Sequence, residues 1–236
     1  MTSWDECYKS AIKGIEHFKS DLLFYRGHAN HTWKLLPSLA RVTVPDRDFS
    51  ENACFFDFET RSGDLMPVNT TPWELAFTMQ HHGIPTRLLD WTESFSTALY
   101  FSLLNSTDDA CVWILDPFKL NRDMINRGEL VRPQDLKGDY DDYFISKSEK
   151  LENKCVAVSP LRRHPRVFKQ RAGFTIHDDL NVPLDEICPD ALFRVEIPLS
   201  AQKEARLFLE LSGVSDFHLF PDLDGLAREL LAEHFT

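Results

Sequence analysis

The sequence predicts an α+β fold, a central mixed or antiparallel sheet with flanking helices, and three observations carry that expectation. Strand-like runs come in two patterns: continuously apolar, as in Ala110-Cys111-Val112-Trp113-Ile114-Leu115, and alternating, as in Ala191-Leu192-Phe193-Arg194-Val195-Glu196-Ile197. Helical stretches with recognisable caps are scattered irregularly among these runs, not set one between each pair of strands as βαβ units require. The length of 236 residues suits one sizeable core, so a single domain over 1–236 is expected, with a polar, weakly periodic insertion at about 121–154.

Ser3 and Glu6 form a capping box, and Trp4, Cys7, Ala11, Ile15 and Phe18 recur at helical spacing, so an amphipathic helix opens the chain. Leu22-Leu23-Phe24-Tyr25 is a β-rich run ending at Arg26-Gly27-His28, which sets a cation where a buried strand meets a glycine. Trp33 to Pro37 reads as a short extended piece, Phe49 to Phe58 as a helix, and Arg61 to Thr71 as a surface loop. Thr71-Pro72-Trp73-Glu74 is a second capping box with proline at the first helical position, and Gly83 offers that helix a left-handed stop. Pro85 then forces extension, Leu88-Leu89 forms a short buried strand, and Ser94 caps an apolar, buried helix from Phe95 to Leu104. Asp116-Pro117 stops the strand Ala110 to Leu115. Cys155 to Val158 returns to strand character, and Gly173 to His177 alternates as a half-buried strand does. Ser200 caps a helix through Leu211 that Gly213 ends, and Asp222 to Glu233 forms the last helix.

Composition narrows the function. The apolar fraction of 43% and charged fraction of 27% fit a globular protein, and no apolar run approaches the roughly 20 residues that span a bilayer, so no membrane partner is expected. The first residues, Met1 to Glu6, lack a basic start and apolar middle, which predicts a cytoplasmic location. Five widely spaced cysteines, never two residues apart, argue against a disulfide framework and a zinc ribbon. A net charge of −11 opposes non-specific binding to a phosphate backbone, with one exception in the cationic stretch Arg162 to Arg171, which could hold a phosphorylated ligand or one stretch of nucleic acid, or equally be a solvated basic face. There is no GxGxxG, P-loop, HExxH or nucleophile elbow. His81 and His82 are adjacent and cannot easily both face one metal from a regular helix, so no metal is expected.

The densest chemistry lies in Gln80-His81-His82-Gly83-Ile84-Pro85-Thr86-Arg87-Leu88-Leu89-Asp90-Trp91-Thr92-Glu93-Ser94. These residues and the others singled out below also have purely structural readings. Arg26 and Asp90 suit a buried ion pair, His81 and His82 a helix C-terminus, Trp91 a core, Thr92 and Ser94 a helix cap, and Asp222 and Asp224 a helix start.

Tyr25-Arg26-Gly27, Trp33-Lys34-Leu35-Leu36-Pro37-Ser38-Leu39 and Gln80 to Thr92 together resemble the FRG domain family of bacteria and phages, whose name refers to an aromatic-Arg-Gly triplet. The likeness continues through Ala98 to Phe101, Gln170 to Phe174 and Leu219 to Leu226. A second resemblance is to the arginine–serine–glutamate class of ADP-ribosyltransferases. There an arginine ends the first strand, a Ser-Thr-Ser-like turn closes a second strand before a helix, and a late acidic residue completes the NAD site. Arg26 is similar to the first element and Thr92-Glu93-Ser94 to the second. No Gln-x-Glu or Glu-x-Glu sits on a late strand, so Gln170 and Asp222 or Asp224 stand in for the third. This resemblance implies NAD as ligand, with Arg26, His82, Thr92, Ser94, Gln170 and Asp222 in catalytic roles and Tyr25, Arg26, Gly27, His81, Arg87, Asp90 and Trp91 around the nucleotide. The leading expectation is an ADP-ribosyltransferase-like effector, a toxin or phage-defence protein, acting on a protein or nucleic-acid target. Two alternatives stay open: a nuclease or phosphoryl-transfer enzyme built on His81, His82, Arg87 and Asp90, and a non-catalytic nucleotide-sensing module.

Overall fold

Six strands form a sheet of order β4-β5-β2-β1-β3-β6 in a computed structural model of the chain, which describes residues 2–151, 154–159 and 172–235. In chain order the elements are α1 (Trp4–Phe18), β1 (Phe24–His28), α2 (Ser38–Arg41), α3 (Arg47–Arg61), α4 (Pro72–His81), β2 (Leu88–Thr92), α5 (Phe95–Leu103) and β3 (Ala110–Leu115). There follow α6 (Pro117–Ile125), β4 (Cys155–Val158), β5 (Ala172–His177), α7 (Leu184–Ile187), β6 (Leu192–Ile197), α8 (Leu199–Leu211), α9 (Asp216–Leu219) and α10 (Leu223–Phe235). Every pairing between these strands is antiparallel, so the fold is α+β with helices against both faces.

Alternate residues of each strand feed different clusters, as the pleat requires. Tyr25, Val112, Ile114, Val195 and Ile197 pack under α1, α5 and α8, while Leu88, Val156, Phe174 and Ile176 pack on the same side under α3 and α4. Phe24, Leu89, Trp91, Cys111, Leu115, Cys155 and Ala157 fill the opposite face with Leu120 of α6 and Leu184 of α7. Central strands are thus covered twice, which is why β3 reads as one apolar run, whereas the edge strand β6 alternates and leaves Arg194 and Glu196 at the surface. The other edge, β4, is closed by a side chain. Asn121 of α6, fully buried, accepts from the Ala157 N–H at 2.8 Å and donates to the Ala157 carbonyl at 2.9 Å, as a further strand would.

The predicted caps form: Ser3 with Glu6, Thr71 with Glu74, and Ser94 on α5, with Gly83 at φ +79° after α4. Several boundaries differ from expectation. β1 runs on to His28 because β3 pairs with all of it, so Arg26 lies mid-strand, not at its end. β5 is buried on both faces, since β2 and β4 flank it and clusters cover both its sides. α8 starts at Leu199 behind Pro198, and Ser200 bonds the Thr2 carbonyl instead of capping it. No strand forms at Trp33 to Pro37. Within 121–154, Tyr140, Tyr143, Phe144 and Leu151 are buried against α3 and α4, so this stretch supplies core side chains that its polar composition concealed.

Candidate functional site

The first two strands barely touch. β1 pairs with β2 only at Tyr25 and Thr92, whereas β1 pairs with β3, and β2 with β5, over their whole lengths. Continuing the β1–β2 register would set Arg26 opposite Trp91 and Gly27 opposite Asp90. Those pairs do not form, and a cleft of about 650 Å³ opens where the strands diverge.

Arg26 sits at the point of divergence. Its Nη1 donates to the Asp90 backbone carbonyl at 2.7 Å and its Nε to His28 Nε2 at 3.2 Å, while Nη1 lies 4.0 Å from the Asp90 carboxylate. One-fifth of the side chain stays accessible. Asp90 is positioned by its own stretch of chain: the Thr86 hydroxyl donates to Gln80 Oε1 at 2.7 Å, which orients the amide so that Nε2 donates to Asp90 Oδ2 at 2.5 Å. Crowding at the cleft floor pushes the Asp90 carboxyl above its ordinary pKa, against the pull of Arg26 and then of Gln80. Trp33, Lys34, Arg41 and Phe101 complete the walls. Lys34 is tied to Asp185 and Glu186, each at 3.1 Å, whereas Arg41 is exposed and has no acidic partner among the described residues. Asp90 is the one carboxylate among the described lining residues, set against three cations in a chain of net charge −11. With Lys34 neutralised by those two acids, Arg26 and Arg41 are the lining cations left to face a ligand, between aromatic walls, a combination that suits a phosphorylated, ring-bearing ligand.

Of the residues expected at a site, Tyr25, Arg26, Gly27, Asp90, Trp91 and Thr92 border this cleft. Three of them are also held structurally. Tyr25 is buried edge-on against Phe95 at 5.9 Å, and the Trp91 indole is buried with its N–H donating to Thr175 Oγ1 at 3.1 Å. Gly27 lies beneath α5, where a Cβ would stand 2.0 Å from the Ala98 carbonyl oxygen.

Ser94, His81, His82, Asp222 and Arg87 are not among the described residues that line the cleft. Ser94 Oγ accepts from the Thr97 N–H as the α5 cap. His81 and His82 lie edge to face at the C-terminus of α4, 5.1 Å apart. Asp222 accepts from the Gly225 N–H at the start of α10, and Phe220 stands edge-on to Phe101, a lining residue, at 6.0 Å. Arg87 is buried elsewhere: it donates to Glu51 at 2.7 Å, Asp48 at 2.6 Å and the Asp178 carbonyl at 2.7 Å, and lies over the Phe144 ring. A burial-driven rise in the Glu51 pKa is opposed by Arg87, and Tyr140 donates to its other oxygen at 2.6 Å, so this is a core ion pair. Gln170 and the cationic stretch from Arg162 to Arg171 lie outside the described residues; Ala172, which follows them, pairs with Thr92 and lines the cleft.

Sequence reading passed over His28, Trp33, Lys34 and Arg41. His28 was recoverable, because a residue two beyond Arg26 on a strand shares its face. Its imidazole is 5% exposed and held neutral: burial first, then the Arg26 charge, lower its pKa to about 3 against a weaker pull from the Trp33 backbone. Arg41 comes from a four-residue helix and carried no local signal.

No three His, Cys, Asp or Glu side chains converge as a metal site among the described residues, and no described helix is long and apolar enough to cross a membrane. The FRG domain family model matches residues 21–111, a span that contains β1, the α4–β2 turn and α5, and therefore most of the cleft. No curated protein and no solved structure matches the chain.

Proposed function

We propose that this protein, which carries an FRG domain over residues 21–111, binds a nucleotide, NAD in the first instance, in the β1–β2 cleft and acts on it as an ADP-ribosyltransferase-like domain. The observation that carries this reading is the fixed but only partly used guanidinium of Arg26 at the divergence of the strands. A guanidinium has five N–H groups. Two are engaged here, leaving three without a partner among the described residues, in a cleft large enough for part of a dinucleotide. Arg26 and Arg41 suit the pyrophosphate, and Trp33, half exposed at the mouth, suits a base or pyridine ring.

Breaking a ribose–nicotinamide bond builds positive charge on the sugar as the ring leaves. A carboxylate close to the sugar stabilises that charge, and binding energy spent on the pyrophosphate holds the sugar in place. Asp90 suits the first role because it lines the cleft with its carboxylate held by Gln80, and the Thr92 backbone closes the paired end of the strands. The order of elements also agrees with the reading: arginine on the first strand, a hydroxyl-bearing turn after its neighbour, then a helix capped by Ser94. The phosphodiester alternative finds less support, because Arg87 is engaged in the core pair with Glu51 and the two histidines lie away from Asp90's cleft. An effector role, as toxin or in phage defence, belongs to the same proposal.

The test is incubation with NAD, with and without cell lysate, following nicotinamide release by mass spectrometry and binding by calorimetry. Release that falls at least tenfold in Arg26→Lys and Arg26→Ala, both shown folded by circular dichroism, is the expected result, the loss of a charge-assisted bond being worth roughly that much. Binding without release would assign the cleft to sensing, and neither binding nor release would overturn the proposal.

A further inference from the structure

We propose that His28 is the positioning residue for Arg26, fixing the guanidinium plane so that its unengaged N–H groups face the ligand. The inference deepens the nucleotide reading above and rests on it for its binding arm.

The argument begins with what each nitrogen can do. Arg26 Nε can only donate, so His28 Nε2, 3.2 Å away, must accept. A neutral imidazole that accepts at Nε2 carries its single proton on Nδ1. Nδ1 is buried and has no hydrogen-bond partner among the described residues, and the ring stands edge-on to the Trp33 indole at 6.1 Å. The ring is thus wedged between the arginine and the loop that forms one cleft wall. The groups that bear on it electrostatically, Arg26, Arg41 and Asp185, are two cations and one acid, so a positive charge on the ring is disfavoured. Protonation would also remove the acceptor and place two cations in contact.

With Nε held by His28 and Nη1 by the Asp90 carbonyl, the guanidinium is pinned at two points of its plane. Rotation about its last torsion is lost before a ligand arrives, so that entropy is not spent on binding. A planar acceptor pair, such as two phosphate oxygens, then meets a preset fork.

Two measurements test this. The first needs no ligand: nitrogen-15 spectra of the imidazole in the full-length protein should show a neutral ring protonated at Nδ1 between pH 7 and pH 5. A ring protonated at Nε2, or charged in that range, would overturn the assignment whatever the protein binds. The second is calorimetric titration with NAD. His28→Leu should weaken binding on the order of tenfold, as expected for losing a hydrogen bond to a charged group. His28→Gln, whose side-chain carbonyl falls where Nε2 lies, should restore affinity to within about threefold, and His28→Leu should cost nothing further in an Arg26→Ala background. Equal losses in both backgrounds, or no rescue by Gln in folded protein, would refute positioning. Should the unaltered protein fail to bind NAD, the functional proposal falls, and the imidazole spectra still decide the role of His28.

Discussion

Acidification from pH 7 to pH 5 should weaken the fold through two buried imidazoles. His28 and His177 are 5% and 0% exposed, and burial, followed by the Arg26 charge, lowers each pKa to about 3. In the unfolded chain both titrate near 6.5. Between those values the unfolded state binds a proton that the native state refuses, so stability is present above about pH 6.5 and is lost as the pH falls toward 3. Each pH unit in the window costs about 1.4 kcal/mol per histidine, hence about 2 kcal/mol apiece and about 4 kcal/mol together on reaching pH 5. Against a usual stability of about 5–15 kcal/mol, that loss is easily measured. Urea unfolding at the two pH values, for the unaltered protein, His28→Gln and His177→Gln, isolates the term. Glu51 and Asp90, whose pKa values are raised, act in the opposite sense but are common to all three proteins. Each substitution should reduce the pH 7 to pH 5 loss by about 2 kcal/mol. A reduction below about 0.5 kcal/mol, the usual error of additivity, would mean that the imidazole is charged in the native protein and would refute the reasoning.

Gly27→Ala should destabilise by about 3 kcal/mol, because the added Cβ meets backbone of α5, which cannot rotate aside, and an unchanged melting temperature would contradict it. Arg87→Met should cost about 3–5 kcal/mol by stranding Glu51, which is 3% exposed; Glu51→Gln in the same chain should recover part of the loss in urea titrations. Asn121→Leu should cost about 2 kcal/mol or more by orphaning the Ala157 N–H and carbonyl, and faster hydrogen exchange confined to β4 and α6 would locate the damage.

How far the sequence carries depends on whether a signal is local. The capping boxes at Ser3 and Thr71, the Ser94 cap and the Gly83 stop involve neighbours in the chain, and each formed as read. The likeness to the FRG domain family was legible for the same reason, since the motif from Gln80 to Thr92 is contiguous and falls within the matched residues 21–111. The fate of Arg87 was not, because its partners Asp48 and Glu51 lie 39 and 36 residues away on α3 and nothing near Arg87 announces them. Nor was the double burial of β5, which follows from its place between β4 and β2. The π-turn Asp141–Ile145 shows a third limit: acidic flanks disguised Tyr140, Tyr143 and Phe144, whose rings pack on Trp73 and Phe55.

Arg26 serves the fold and the cleft through one geometry. In an unbroken antiparallel sheet the Asp90 carbonyl and its neighbours would find N–H donors on β1. Past Tyr25 and Thr92 those donors are withdrawn, because β1 follows β3 while β2 follows β5, which leaves the Asp90 carbonyl without a strand partner on that side. The Arg26 guanidinium supplies the missing donor at 2.7 Å and so wedges open the gap that it occupies. A shorter side chain could not bridge the strands, and a lysine would offer a point charge without a plane. Because the Asp90 carbonyl engages one edge of the fork and His28 another, the carbonyl that takes the arginine also helps to fix its plane at the cleft that Arg26 lines.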